Sequence, residues 1–172
     1  MKRDTIIAGK ILEDMSDGVM TISLEGKIVT FNPAAARILG ISQKEALEKS
    51  FGELFLLAEE NDDFNQTILD AIYESSTSHN RIVSYTNQGT CLTLALTTTF
   101  LRSEDGSDEK MGVIAVFSDI TALQQLQEAE ARMAEELKAK HKELQQAYLK
   151  TEQGNEQLQS ALKKVQIIRN TA

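Results

Sequence analysis

The chain has 172 residues, and its 26 acidic against 18 basic residues give a net charge of −8, so no basic excess exists to displace phosphate counterions and no nucleic-acid partner is expected. One cysteine, Cys91, can neither close an internal disulfide nor supply a multi-thiolate metal site, which points to a reducing, cytoplasmic setting. No apolar run approaches membrane-spanning length and the start, MKRDTIIAGKILEDM, lacks a signal-peptide core, so these residues are expected to make no membrane contact, whether or not a parent protein is anchored elsewhere.

Ile6, Ile7, Ile11, Leu12 and Met15 recur at helical spacing, which predicts an amphipathic lead-in helix within residues 1–16 that ends near Asp17-Gly18. The period then changes. Val19 to Ser23 and Lys27 to Phe31 are β-prone runs around Leu24-Glu25-Gly26, a hairpin signal because Gly can take positive φ. In NPAAARILG, Asn32 is the expected helix N-cap, Pro33 suits the first helical position and Gly40 the left-handed end. A second short helix follows, with Ser42 as its cap and Glu45 completing the spacing of a capping box.

From Asp62 or Asp63 a longer helix is expected, with Phe64, Ile68, Leu69 and Ile72 on one face, fading in the polar ESSTSHN. Three strands close the series, about Arg81 to Thr86, Thr90 to Leu101 and Met111 to Ser118, joined by an Asn87-Gln88-Gly89 turn and the charged loop SEDGSDEK. The middle strand alternates Leu92, Leu94, Leu96 against Thr93, Ala95, Thr97, as a half-exposed antiparallel strand should. The fold class expected is therefore α+β, a five-stranded antiparallel sheet with small helices on one face, occupying residues 17–119.

At GVIAVFSDITALQQLQ the chemistry switches from strand to helix within Asp119-Ile120-Thr121. Thr121 and Gln124 have capping-box spacing, and Asp119 stands where a carboxylate favours the positive end of a helix. Beyond the joint, residues 120–172 read as a long coiled-coil helix. Heptad core positions carry Leu123, Leu126, Met133, Leu137, Leu144, Ala147, Leu158, Ala161, Val165 and Ile168, interrupted by Glu130, Lys140, Thr151 and Gly154. Tyr148 and Leu162 offer a competing seam after Leu144, which leaves the register there and the choice of parallel or antiparallel pairing open. Such a helix reaches roughly 70 Å at 1.5 Å per residue. With no core of its own, residues 122–168 are expected to pair with a second copy, as a parallel homodimer.

The order of elements, with DGVMTISLEGKIVTFNPAAARILG at 17–40 and GVIAVFSDIT at 112–121, resembles a PAS sensor domain over most of residues 5–121. Asp119-Ile120-Thr121 is similar to that family's Asp-x-Thr junction, and the resemblance implies that Asp119 and Thr121 relay a signal from the sheet to the output helix. It implies a non-enzymatic sensory and dimerisation module of a bacterial signalling protein, with an effector beyond this chain: a histidine kinase, a nucleotide cyclase or a diguanylate cyclase. The alternative is a ligand-free structural adaptor that only sets oligomeric state. The family's flavin-binding light sensors carry a reactive Cys on a helix in an Asn-Cys-Arg-Phe motif. Here the corresponding stretch is SFGELFLL and Cys91 falls on a predicted strand, so no flavin adduct is expected. Haem is likewise not expected, because ligation needs a buried imidazole and His79 lies in a polar connection. His141, in the charged KAKHKEL of the coil, lacks the acidic-neighbour and Arg-Thr-Pro pattern of a phospho-accepting histidine. The cofactor stays unknown, with a small organic molecule or nothing in the core.

Overall fold

The structure, a computed structural model, describes residues 2–57, 59–73, 79–103 and 110–171. It divides into two compact units, residues 1–124 and 125–172. The first opens with helix α1 (Lys2–Asp14), strands β1 (Gly18–Ser23) and β2 (Ile28–Phe31), and helices α2 (Pro33–Leu39), α3 (Gln43–Glu48) and α4 (Phe51–Phe55). A 3-10 turn (Glu59–Asn61) leads into helix α5 (Asp62–Tyr73), followed by strands β3 (His79–Asn87), β4 (Thr90–Arg102) and β5 (Lys110–Asp119). Helix α6 (Thr121–Thr171) completes the chain with 51 residues. The expected polar fade ESSTSHN and most of the expected loop SEDGSDEK lie outside the described residues.

The sheet is antiparallel with strand order β2-β1-β5-β4-β3. The chain therefore makes a hairpin, leaves through α2 to α5, and returns so that its last strand enters between β1 and β4. Turn chemistry sets two of the hairpins. Gly26 takes φ +81° between β1 and β2, while Gln88 and Gly89 both take positive φ, 48° and 84°, as a two-residue turn matched to strand twist requires. Asn87 pairs with Thr90 across that turn.

One face of the sheet carries the core. Met20, Ile22, Leu94, Leu96, Val113, Ala115 and Phe117 are fully buried there under Phe51, Phe55, Phe64 and Ile68. Phe64 is the centre of an aromatic cluster, with ring centroids 5.8 Å from Phe55, 5.1 Å from Tyr85 and 5.8 Å from Phe117, the last two edge-on. The Tyr85 hydroxyl donates to Leu39 O at 3.1 Å, and burial pushes its pKa up to about 12. Gly112 has no room for a side chain, because a Cβ there would stand 2.3 Å from the Ile22 carbonyl oxygen on β1.

One capping expectation needs correction here. Ser42 Oγ accepts the Glu45 N–H at 3.2 Å, but the Glu45 carboxylate turns to Lys49 Nζ at 2.8 Å instead of reaching back. The nearby cation outcompetes the backbone. The complete capping box forms at Ser50 and Glu53, the start of α4, a helix that the sequence reading does not assign. There the Glu53 carboxylate accepts from Ser50 N–H and from its hydroxyl, both at 2.8 Å, which holds the carboxyl below its ordinary value of 4.5. A depressed folded pKa contributes stability above the unfolded value, and that contribution disappears as pH falls through the folded one. The Ser50 amide resonance is accordingly expected to titrate with a midpoint below 4.5. A midpoint at or above that value would show that the box does not form in solution.

Candidate exit joint

The end of β5 and the start of α6 are held by a few short bonds to β4. Ile120 N–H donates to Thr93 O, and Thr93 N–H donates back to Thr121 Oγ1, both at 2.9 Å. One residue near the start of β4 therefore clamps two successive residues of the joint. Asp119 Oδ1 closes the arrangement by accepting from Thr121 N–H at 3.0 Å and from Thr121 Oγ1 at 2.5 Å. The Thr121 hydroxyl thus donates to a carboxylate while accepting from a strand amide. Asp119 and Thr121 are brought together, and Thr93 is the third member that the sequence reading does not single out.

The expected Thr121–Gln124 box takes another form. The Gln124 N–H bonds to Ile120 O at 2.9 Å, and the Thr121 hydroxyl and N–H are engaged with Thr93 and Asp119. A box needs a free hydroxyl at the cap, and here the strand and the carboxylate have taken it. Beside the joint lies an open cleft of about 440 Å³, lined by Arg37, Ile38, Asn87, Gln88, Thr90, Leu92 and Asp119.

In the domain's N-terminal half, Asn32 caps α2 through Oδ1, which accepts the Ala35 N–H at 2.9 Å. Gly40 ends the same helix at φ +70° with its N–H on Ala36 O, and a Cβ there would meet the Asn87 side chain at 2.2 Å. Inside the core, Asn65 donates through Nδ2 to Phe55 O at 2.8 Å, while Asn65 Oδ1 and Thr98 Oγ1 are buried with no hydrogen-bond partner among the described residues. Each such group costs about 1–3 kcal/mol unless something bonds to it.

Cys91 is exposed on β4. His79 is the first residue of β3, with its Cα opposite Thr98, and its side chain lies outside the described residues. His141 is exposed on α6. Among the described residues no group of three or more His, Cys, Asp or Glu is placed to hold a metal ion, and no helix is long and apolar enough to cross a membrane. On α6 the heptad stripe is open, with Leu137 72 % and Leu144 68 % exposed in the single chain.

Comparison with known proteins finds that the family described as PAS domain matches residues 16–122. The chain is 32% identical over 126 residues to the signal transduction histidine-protein kinase AtoS of Escherichia coli K12, covering 73% of this chain and 19% of that protein. It thus spans about a fifth of that relative's length. Among solved structures, the PAS domain of a Colwellia psychrerythraea protein aligns with TM-score 0.55 at 16% identity, covering 69% of this chain and 98% of that one. The PAS domain of Bordetella pertussis BvgS aligns with TM-score 0.55 at 17% identity, covering 77% of this chain and 98% of that one.

Proposed function

Because the chain belongs to the PAS domain family over residues 16–122, we propose that it is the sensory and dimerising module of a cytoplasmic bacterial signalling protein. A PAS domain is sensory and not catalytic, so the chemistry resides in an effector. In this reading residues 1–16 lead in, residues 17–119 sense, and residues 120–172 carry the signal as a parallel coiled coil. Of the three effector classes, a histidine kinase is the one that the likeness to AtoS supports; a nucleotide cyclase or diguanylate cyclase would be driven by the same lever.

The observation that carries the reading is the clamp of Thr93 on Ile120 and Thr121. An ordinary strand-to-helix connection needs a cap. It does not need the cap's hydroxyl to be bonded to a different strand whose inward side chains, Leu94 and Leu96, line the core. Any change in the core that displaces β4 is therefore delivered to the first turn of α6.

Any ligand of the core, in this account, is a small organic molecule; a flavin adduct is disfavoured by the absence of a cysteine in SFGELFLL, and haem by the polar sequence around His79 and the exposed position of His141. Native mass spectrometry and absorbance of the protein purified without denaturation test this. A bound small molecule without a visible band supports the sensor. A fusion of residues 1–172 to a histidine-kinase catalytic region separates sensor from adaptor. Output that changes with the parent protein's stimulus is expected, and output indifferent to it would leave a structural adaptor.

A further inference from the structure

We propose that Asn32, Asp17 and Ser118 form a second line of coupling, which connects the lead-in helix α1 to the exit joint without passing through the core. This deepens the reading of residues 119–121 as the exit joint and rests on it.

One side chain, Asn32, carries four hydrogen bonds. A primary amide can accept at its oxygen and donate twice at its nitrogen. Asn32, 2% exposed, does all of this with partners in four places. Its Oδ1 accepts from Val19 N–H of β1 at 2.8 Å and from Ala35 N–H of α2 at 2.9 Å. Its Nδ2 donates to Leu12 O of α1 at 3.1 Å and to Asp17 O, in the link between α1 and β1, at 2.9 Å. Capping α2 requires only the Ala35 bond. The remaining three fix the end of α1, the link and the start of the sheet to one another.

Asp17 then carries the connection onward. Its backbone carbonyl is held by Asn32, and its Oδ1 accepts from Ser118 Oγ at 2.7 Å. Ser118 precedes Asp119, whose carboxylate holds Thr121. The strand register keeps the two ends together, since Gly18 pairs with Phe117. From the last turn of α1 to the cap of α6 the path is therefore Leu12, Asn32, Asp17, Ser118 and Asp119, made of hydrogen bonds and one peptide link. A buried amide with every capacity used cannot yield on one side without loosening another, so a change at α1 is passed along. α1 itself has an apolar side that is open in the single chain, with Ile6 70% and Ile11 58% exposed, and is the element on which an upstream input can act. The domain thus has two inputs to one joint: the core through Thr93, and α1 through Asp17 and Ser118.

Hydrogen exchange on the 172-residue chain tests the proposal through the amides of Thr93, Ile120 and Gln124, whose bonds define the joint. Lys10→Pro breaks α1 at an exposed position. Gly9→Ala strengthens it, with nothing within 4 Å of the added Cβ. The first is expected to speed exchange at the joint at least about threefold relative to Leu96 and Ala115 in the sheet centre, and the second to slow it. In a Ser118→Ala background both effects should vanish, and in an Asp17→Asn background, which keeps the acceptor oxygen, they should persist. Joint amides indifferent to both α1 variants, or a response of the same size with Ser118→Ala, would overturn the proposal. Because the readout is the response to α1, it stands apart from tests of the joint's control over the effector: an α1 response with no effect on output would remove the joint's role and leave this connection in place.

Discussion

Leu137→Glu combined with Leu144→Glu is expected to turn the proposed dimer of 19.1 kDa chains into a monomer. Both leucines are exposed in the single chain at core positions of one heptad seam. A lone helix gains little from backbone bonds alone, so α6 depends on covering this stripe. Burying a Leu against a partner contributes about 1.5–3 kcal/mol, and burying an unpaired carboxylate instead is costly. Two substitutions per chain remove at least about 4 kcal/mol of association, roughly a thousandfold in Kd. The seam has little reserve, since Glu130 and Lys140 would face their own copies in a parallel dimer and Gly154 costs about 1 kcal/mol relative to Ala. Sedimentation should therefore show the mass halving while far-UV circular dichroism loses helix. An unchanged dimer would assign the interface to residues 1–124.

Phe64→Ala is expected to cost the sensor domain about 3–5 kcal/mol, a large part of the 5–15 kcal/mol that holds a typical domain folded. Phe64 is fully buried and its ring touches Phe55 of α4, Tyr85 of β3 and Phe117 of β5. Removing it leaves a cavity that these three rings can close only by moving the helices relative to the sheet. Thermal unfolding followed at the near-ultraviolet aromatic signal should show the loss, with the coil's helical signal retained. A melting temperature within a few degrees of the wild type would mean that the core repacks and that Phe64 is not its centre.

The strands were legible because one face is buried and the other open, so alternation in TCLTLALTTT translates directly into side-chain direction. Thr98 falls in phase with Leu94 and Leu96 and is buried with them, although its polar hydroxyl gives no sign of burial in the sequence. Helix α4 escaped because five residues are too few to show a period, although Ser50 and Glu53 carry the same spacing as Ser42 and Glu45. Which of the two boxes closes depends on whether a lysine competes for the glutamate, and that is a matter of side-chain reach. Asn32 was legible as a cap, a local property, whereas its bonds to Leu12, Asp17 and Val19 join residues 13 to 20 positions apart and leave no trace in local pattern. At the joint, Asp119 and Thr121 stood out from the change in composition. Thr93 did not, because its part is assigned by the pairing of strands that only the folded sheet brings together.

In the proposed function the joint transmits a signal and does not merely start a helix. If Asp119 and Thr121 only cap α6, replacing either by Ala costs about 0.5–2 kcal/mol and leaves the response intact. Stability therefore cannot decide, and the ratio of stimulated to basal output can. In the kinase fusion, Asp119→Ala and Thr121→Ala are expected to bring that ratio close to one, while Thr121→Ser, which keeps the hydroxyl between Thr93 and Asp119, retains it. A wild-type ratio in both alanine variants would contradict the account and reduce the joint to its cap.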